Sequence, residues 1–258
     1  AALEALRSRG PDDQGEFHDP CGLSLLHTRL AIQDLSPLGH QPMHSSDQGL
    51  VLVFNGEIYN YREFGWAHFV TDGEALIPMY RKHGELFARQ LRGEFSLVVA
   101  DFERDILVLS TDVFGTKPFW VARGAGEWGV ASYASGLSRL DFGGHRMRAT
   151  QELEPNTIEV RRLSTFRLLR RHTLHEFDLR QHKHALDDWT AAFRAAMARR
   201  AATLQHGVFV GLSAGVDSGL IALRLTEMQV AHHLYSLDCH EQTSTIHRRH
   251  KFARAASR

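Results

Sequence analysis

Two short apolar runs, each opening into a polar loop, constrain this chain more than any other feature. Residues 50–54 lead into Asn55-Gly56-Glu57-Ile58-Tyr59-Asn60, and residues 208–212 lead into Ser213-Ala214-Gly215-Val216-Asp217-Ser218. Runs of this length are too short for a buried helix and suit a buried strand. Their settings differ. The first lies among closely spaced strand-like segments, whereas the second is flanked by helical patterns. Two architectures on one chain follow.

In the front part, residues 3–7 read as the last turn of a helix, followed by a turn at Arg9-Gly10-Pro11-Asp12. Strands are expected at 22–26, 29–35 and 50–54, and again at 95–101 and 106–111, paired around Glu103-Arg104-Asp105. Asp72 is set to cap a helix running to Tyr80, with Ala75, Leu76, Met79 and Tyr80 on one face. Pro78 should kink that helix, at a cost of ~3 kcal/mol for an interior position. Residues 1–160 therefore read as an α+β layered sandwich. Residues 161–184 read as a linker. In 185–258, a helix over 186–204 carries Leu186, Trp189, Phe193 and Met197 at helical spacing. A strand at 208–212, a helix over 219–228 and a strand at 234–237 then open a doubly wound α/β domain.

Composition excludes several classes. The chain has 258 residues, 43% hydrophobic, enough to bury a core. Its 30 Lys and Arg balance 30 Asp and Glu, so no overall charge draws it to nucleic acid or anionic membrane. The basic stretches 161–184 and 247–258 read as solvated or disordered faces. Cys21 and Cys239 are the only cysteines, far apart, and indicate neither a disulfide framework nor a thiolate zinc site. The 17 histidines form no HExxH frame, and no metal site is expected from the protein alone. No apolar run approaches the ~18 residues of a membrane span, and the start lacks a signal-peptide layout. The cytoplasm, or another reducing compartment, is the expected location. Gly124-Ala125-Gly126-Glu127-Trp128-Gly129 fits GxGxxG but lies between strand-like runs with no helix following, so it reads as a hairpin turn.

The rear loop has anion-binding chemistry. Backbone N–H groups at a strand-to-helix turn, with the helix dipole, favour a negative ligand. Ser213 and Ser218 add hydroxyls, and Gly215 permits close approach to phosphate. No Walker A pattern is present. The loop resembles the SGGxDS pyrophosphate loop of ATP pyrophosphatases, with Ala214 in place of the first glycine; if that position requires positive φ, alanine costs about 1 kcal/mol. Asp217 would orient Mg2+.

The front half carries Arg9-Gly10-Pro11-Asp12, His27-Thr28-Arg29-Leu30-Ala31-Ile32, Gln41-Pro42-Met43, Asn55-Gly56-Glu57-Ile58-Tyr59-Asn60 and Gly115-Thr116-Lys117-Pro118, in that order. This series resembles the class II glutamine amidotransferases, specifically the glutamine-dependent asparagine synthetases, up to about residue 237. The resemblance implies an N-terminal-nucleophile hydrolase sandwich (αββα). It also implies Arg29 on the glutamine α-carboxylate, Asp72 on the α-ammonium with Glu57 assisting, and Asn55 and Gly56 as an oxyanion hole. Taken singly, Arg29 would pass for a surface ion pair and Asn55-Gly56 for a plain hairpin turn. Ser213, Gly215, Asp217 and Ser218 would bind ATP, with aspartate as acceptor and β-aspartyl-AMP as intermediate.

The resemblance further implies an N-terminal cysteine nucleophile using its own amine as base. This chain begins at Ala1, in the helix expected to follow the first strand, and Cys21 maps to a strand without a free amine. As given, it is not expected to hydrolyse glutamine. Ser8, Thr111 and Tyr133 depart from the family pattern, the stretch between Phe64 and Phe69 is shortened, and no SGEGSDE-like segment follows. Three readings stand: an incomplete asparagine synthetase sequence, another ATP-dependent amide-forming ligase such as a β-lactam synthetase, or a non-catalytic relative serving a larger assembly. A homodimer is a further possibility.

Overall fold

The computed structural model describes residues 2–65, 68–124, 127–140, 149–202, 206–237 and 243–256. The chain divides into two units, Ala1–Asp178 and Leu179–Arg258. Both are mixed α/β.

The first unit runs α1 (Ala2–Leu6), β1 (Asp13–His18), β2 (Ser24–Arg29), β3 (Met43–His44), β4 (Leu50–Ile58), α2 (Leu76–His83), β5 (Gly93–Asp101), β6 (Ile106–Thr111), β7 (Trp120–Arg123), β8 (Trp128–Ala131), α3 (Ala134–Leu137), β9 (Ala149–Glu152), β10 (Thr157–Arg162) and β11 (Leu168–Thr173). Its main sheet has the order β11-β10-β6-β5-β4-β3, antiparallel throughout. Two smaller antiparallel sheets, β1-β2 and β8-β7-β9, accompany it.

The side-chain period of two decides what each face of the main sheet buries. Leu52 and Phe54 on β4, Leu97 and Val99 on β5, and Val108 on β6 pack with Leu76, Met79, Tyr80 and Phe87, from α2 and the 3-10 turn after it. The intervening residues Val51, Val98, Ala100, Leu107 and Leu109 pack with Leu25 of β2, Leu23 just before it, and Val121 of β7. Strands buried on both faces read in sequence as continuous apolar runs, as residues 97–100 and 106–109 do.

Several expectations are corrected. Residues 30–35 form no strand, since β2 ends at Arg29 and an irregular loop follows, with Leu30, Ile32 and Leu35 more than half exposed. Asp72 caps a 3-10 turn, Gly73–Ala75, that leads into α2. Pro78 then falls in the first turn of α2, where its missing N–H breaks no hydrogen bond within that helix, so the interior kink cost does not arise. The stretch read as a linker, 161–184, contains the boundary between units, at 178/179, but its first part belongs to the β10–β11 hairpin. Arg161 is no solvated charge: it is buried against Glu159, with its guanidinium over the Phe166 ring at 4.4 Å. The GxGxxG-like stretch joins antiparallel β7 and β8, Arg123 opposite Trp128, as a hairpin connection; residues 125–126 lie outside the described residues. So do Trp66 and Ala67 in the shortened stretch, and Cys239.

The second unit runs α4 (Asp187–Ala201), β12 (Val208–Gly211), α5 (Val216–Glu227), β13 (His232–Tyr235) and α6 (Thr243–Ala256). β12 and β13 pair in parallel with α5 between them, a βαβ unit. α5 starts three residues before the expected position, so Asp217 and Ser218 stand in its first turn. Part of the basic stretch 247–258 is helical, within α6. Among the described residues no helix is long and apolar enough to cross a membrane.

Candidate functional site

Arg29, Glu57 and Asp72, widely spaced in sequence, line one pocket together with Gln33, Gln41 and Thr71. β2 delivers Arg29 at its last residue, β4 delivers Glu57 next to its end, and Asp72 stands at the turn into α2. The pocket volume is about 40 Å³, room for roughly three waters.

Arg29 is held by its own loop. Nη1 donates to the Ser36 carbonyl at 2.7 Å and Nη2 to the Asp34 carbonyl at 2.6 Å, with the Asp34 carboxylate 3.8 Å away. Two of its five N–H donors are thereby used, and the guanidinium is aimed rather than free. Gly39 makes room for it: a Cβ there would lie 2.2 Å from Arg29 Nη2. The Arg9-Gly10-Pro11-Asp12 turn backs this strand end, with Asp12 N–H donating to the Arg29 carbonyl and Asp12 Oδ2 accepting from Ala31 N–H.

Asp72 is tied to the main chain on both oxygens. Oδ2 accepts from Ile58 N–H at 2.8 Å and Oδ1 from Gly73 N–H at 2.9 Å. Burial nevertheless raises its pKa to about 6, these hydrogen bonds opposing the rise. Glu57 accepts a hydrogen bond from Gln33 Nε2. Burial raises Glu57 to about 7, the Asp72 charge adds to that, and the Gln33 amide and Lys117 pull the other way. Two carboxylates thus share a poorly solvated part of the pocket while the Arg29 guanidinium is engaged by its own loop, an arrangement that favours a cationic group of a ligand beside Glu57 and Asp72.

Asn55 and Gly56 lie within β4, between Phe54 and Glu57, both of which line the pocket. They are strand interior, not a hairpin turn: Asn55 pairs with Ser96 and Gly56 with Phe95. Gly56 has φ 145°, and a Cβ there would meet the Glu94 carbonyl oxygen at 1.9 Å. Only glycine fits. Asn55 Nδ2 reaches Ser132 Oγ at 3.5 Å. The neighbouring Tyr133 receives a hydrogen bond from Arg9, whose guanidinium also lies 4.3 Å from the ring centre. Tyr133 thus engages Arg9 through both its hydroxyl and its ring face. Thr111, another departure, is buried and donates to the Glu154 carbonyl at 2.9 Å. Its neighbour Asp112 accepts from Phe95, Phe114 and Thr116 N–H groups and so shapes the Gly115-Thr116-Lys117-Pro118 turn.

Cys21 is exposed and sits in the β1–β2 turn. Arg29 pairs with Asp13 at the other end of that hairpin, five residue pairs from His18 and Ser24, or roughly 16 Å at strand rise. His27 precedes Arg29 by two on β2, and burial pushes its pKa down to about 4. Sequence reasoning missed Gln33 and Thr71. A polar Gln33 between Ile32 and Leu35 was the available signal for one, adjacency to Asp72 for the other.

In the second unit, Ser213 and Ser218 face each other, hydroxyl to hydroxyl at 3.0 Å, and Ser218 Oγ accepts from Ser213 N–H at 3.1 Å. Gly215 N–H donates to Ser213 Oγ at 3.1 Å. Asp217 is exposed in the first turn of α5. Ala214 is not among the positive-φ residues and Gly215 has φ −77°, so the anticipated alanine penalty does not arise.

The amidase chry2 of Gibberella zeae is 38% identical over 127 residues, covering 46% of this chain and 19% of that protein. A putative glutamine-hydrolyzing asparagine synthetase of Mycobacterium bovis is 38% identical over 148 residues, 51% of this chain and 22% of its own length. The glutamine-hydrolyzing asparagine synthetase of Sandersonia aurantiaca is 34% identical over 141 residues, 52% and 26% respectively. This chain thus spans about a fifth to a quarter of these relatives. Among solved structures, the B. subtilis glutamine phosphoribosylpyrophosphate amidotransferase complexed with ADP and GMP is similar, with TM-score 0.53 at 15% identity, covering 90% of this chain and 61% of that one. That likeness concerns fold alone. The glutamine amidotransferase domain family matches residues 1–159, which include every element of the pocket. With that match over more than half its length, the chain belongs to the glutamine amidotransferase domain family, and asparagine synthetases are among its relatives.

Proposed function

We propose that the first unit binds L-glutamine for ATP-dependent amide formation, with asparagine synthesis as the overall reaction. One observation carries the reading: Arg29, Glu57 and Asp72 converge on a single pocket beside Asn55 and Gly56. The α-carboxylate pairs with Arg29 and the α-ammonium with Asp72 and Glu57. An entering ammonium supplies a cation beside Glu57 and Asp72 and returns both carboxylates to their charged forms. The side-chain carbonyl then lies toward Asn55 Nδ2 and Gly56 N–H, donors suited to the oxyanion that forms when a cysteine thiolate of the kind the family uses adds to that carbonyl and ammonia leaves. The sheet faces, covered by helix on one side and by further sheet on the other, support the αββα layering of N-terminal-nucleophile hydrolases.

In the second unit, the α5 N-terminus, the serine hydroxyls and Gly215 fit the pyrophosphate of ATP as substrate, and Asp217 fits Mg2+ beside it. ATP and aspartate give β-aspartyl-AMP and pyrophosphate, and ammonia released from glutamine displaces AMP. The βαβ unit fits the opening of a doubly wound domain. The test is amide-15N glutamine supplied with aspartate and Mg-ATP to the protein purified from its native source. Labelled asparagine with AMP and pyrophosphate is expected, and ADP formation or unlabelled product contradicts the reading.

A second reading, a glutamine-binding but non-hydrolytic subunit of a larger assembly, is favoured by the position of Cys21, the described cysteine, at the far end of the β1–β2 hairpin from Arg29. Saturable glutamine binding without label transfer would select it.

A further inference from the structure

The pocket already holds a carboxamide. Gln33 lines it and donates through Nε2 to Glu57 Oε2. The loop bearing Gln33 is fastened at both ends, by Asp12 to Ala31 N–H and by Arg29 to the Asp34 and Ser36 carbonyls. The charged groups facing Glu57 are Asp72 ahead of α2, Glu94 opposite it on β5, and Lys117 from the turn after β6. Lys117 is directed elsewhere: its Nζ lies 3.5 Å from Glu94 Oε1, which also accepts from the Tyr59 hydroxyl at 2.9 Å. Gln33 thus meets Glu57 where a cation would. The pocket volume is about 40 Å³, room for roughly three waters, and within it the Gln33 carboxamide already occupies a carboxylate oxygen of Glu57.

We infer that Gln33 is a specificity-determining residue: its carboxamide stands on Glu57 in place of the ligand's α-ammonium, and a ligand binds by displacing it. The inference rests on the glutamine-binding reading above. A neutral amide N–H binds a carboxylate less strongly than an ammonium does, because only the ammonium adds charge–charge attraction to the hydrogen bond. The exchange therefore favours ligands bearing a free α-ammonium, and it disfavours neutral analogues that only replace one amide by another. Gln33 raises the threshold for entry and so discriminates by charge.

The experiment is calorimetric titration of L-glutamine and N-acetyl-L-glutamine into the wild-type chain, Gln33→Met and Gln33→Lys. Met keeps the side-chain length but donates no hydrogen bond, so L-glutamine should bind about tenfold more tightly. Lys places a permanent cation against Glu57 and should weaken L-glutamine at least tenfold. N-acetyl-L-glutamine should remain the weaker ligand of the wild type. Wild-type binding of L-glutamine with Gln33→Met and Gln33→Lys both within twofold of it would overturn this inference and leave the glutamine reading standing. Absence of binding in all three proteins would overturn both. Should Gln33→Met fail to fold, shown by its melting curve, Gln33→Lys alone decides.

Discussion

Ile58 N–H donates to Asp72 Oδ2 at 2.8 Å, so the end of β4 and the turn into α2 are locked together one residue away from Glu57. That hydrogen bond is what brings two carboxylates to one pocket. It also makes Asp72 both a ligand-facing group and a structural cap, through Gly73 N–H. A residue with two such duties is a poor choice for a clean binding mutant, whereas Glu57 is bound by the Gln33 side chain and is the better probe.

Glu57 should leave a mark on the pH dependence of stability. Its folded pKa is about 7 against an ordinary 4.5, so between those values the folded state holds more protons than the unfolded one. Its contribution therefore declines as pH rises through that window. His27 acts oppositely: lowered to about 4 from 6.5, it costs stability as pH falls. Comparing Glu57→Gln with wild type isolates the carboxylate. Urea unfolding should show the variant gaining roughly 1–3 kcal/mol on wild type at pH 8 relative to pH 5. Equal differences at both pH values would refute the burial of this charge.

Gly56→Ala places a Cβ 1.9 Å from the Glu94 carbonyl at φ 145°. The β4–β5 pairing must give way, at a cost of about 2 kcal/mol or more. A lowered urea midpoint is expected, and an unchanged midpoint would contradict the strand geometry.

Arg29→Lys keeps the charge but loses the fork that spans the Asp34 and Ser36 carbonyls. A single ammonium cannot hold both carbonyls and a substrate carboxylate. Glutamine affinity should fall at least about tenfold, with ~1–3 kcal/mol lost from the unit's stability. Affinity within twofold of wild type would remove Arg29 from the site.

How much of this was legible in the sequence differs from element to element. The central strands were readable because β5 and β6 are buried on both faces, which leaves the apolar runs 97–100 and 106–109 at their centres. Residues 29–35 misled because their apolar content suits a strand, yet the loop's carbonyls are satisfied by the Arg29 side chain, a contact that no local pattern encodes. β11 was hidden in a basic stretch because the edge strand keeps most of its arginines outward, and its pairing with β10 does not show in its own composition. Arg29, Glu57 and Asp72 could be grouped from the sequence because motif order carries three-dimensional information, and they line one pocket. Gln33 could not, since its significance lies in which carboxylate it meets.

Ser218→Ala removes the hydroxyl bonded to Ser213 N–H and facing Ser213 Oγ. If this loop takes the pyrophosphate of ATP, the variant should bind pyrophosphate about tenfold more weakly, while the second unit's folding changes little at an exposed site. Equal binding, followed by calorimetry with magnesium present, would dissociate the loop from nucleotide.

The most direct measurement is the titration of L-glutamine into the chain at pH 8, alongside Arg29→Ala and Glu57→Gln. The account requires saturable one-to-one binding in wild type, and at least about tenfold weakening in each variant. Absence of binding in the wild type, or binding indifferent to both substitutions, would contradict it.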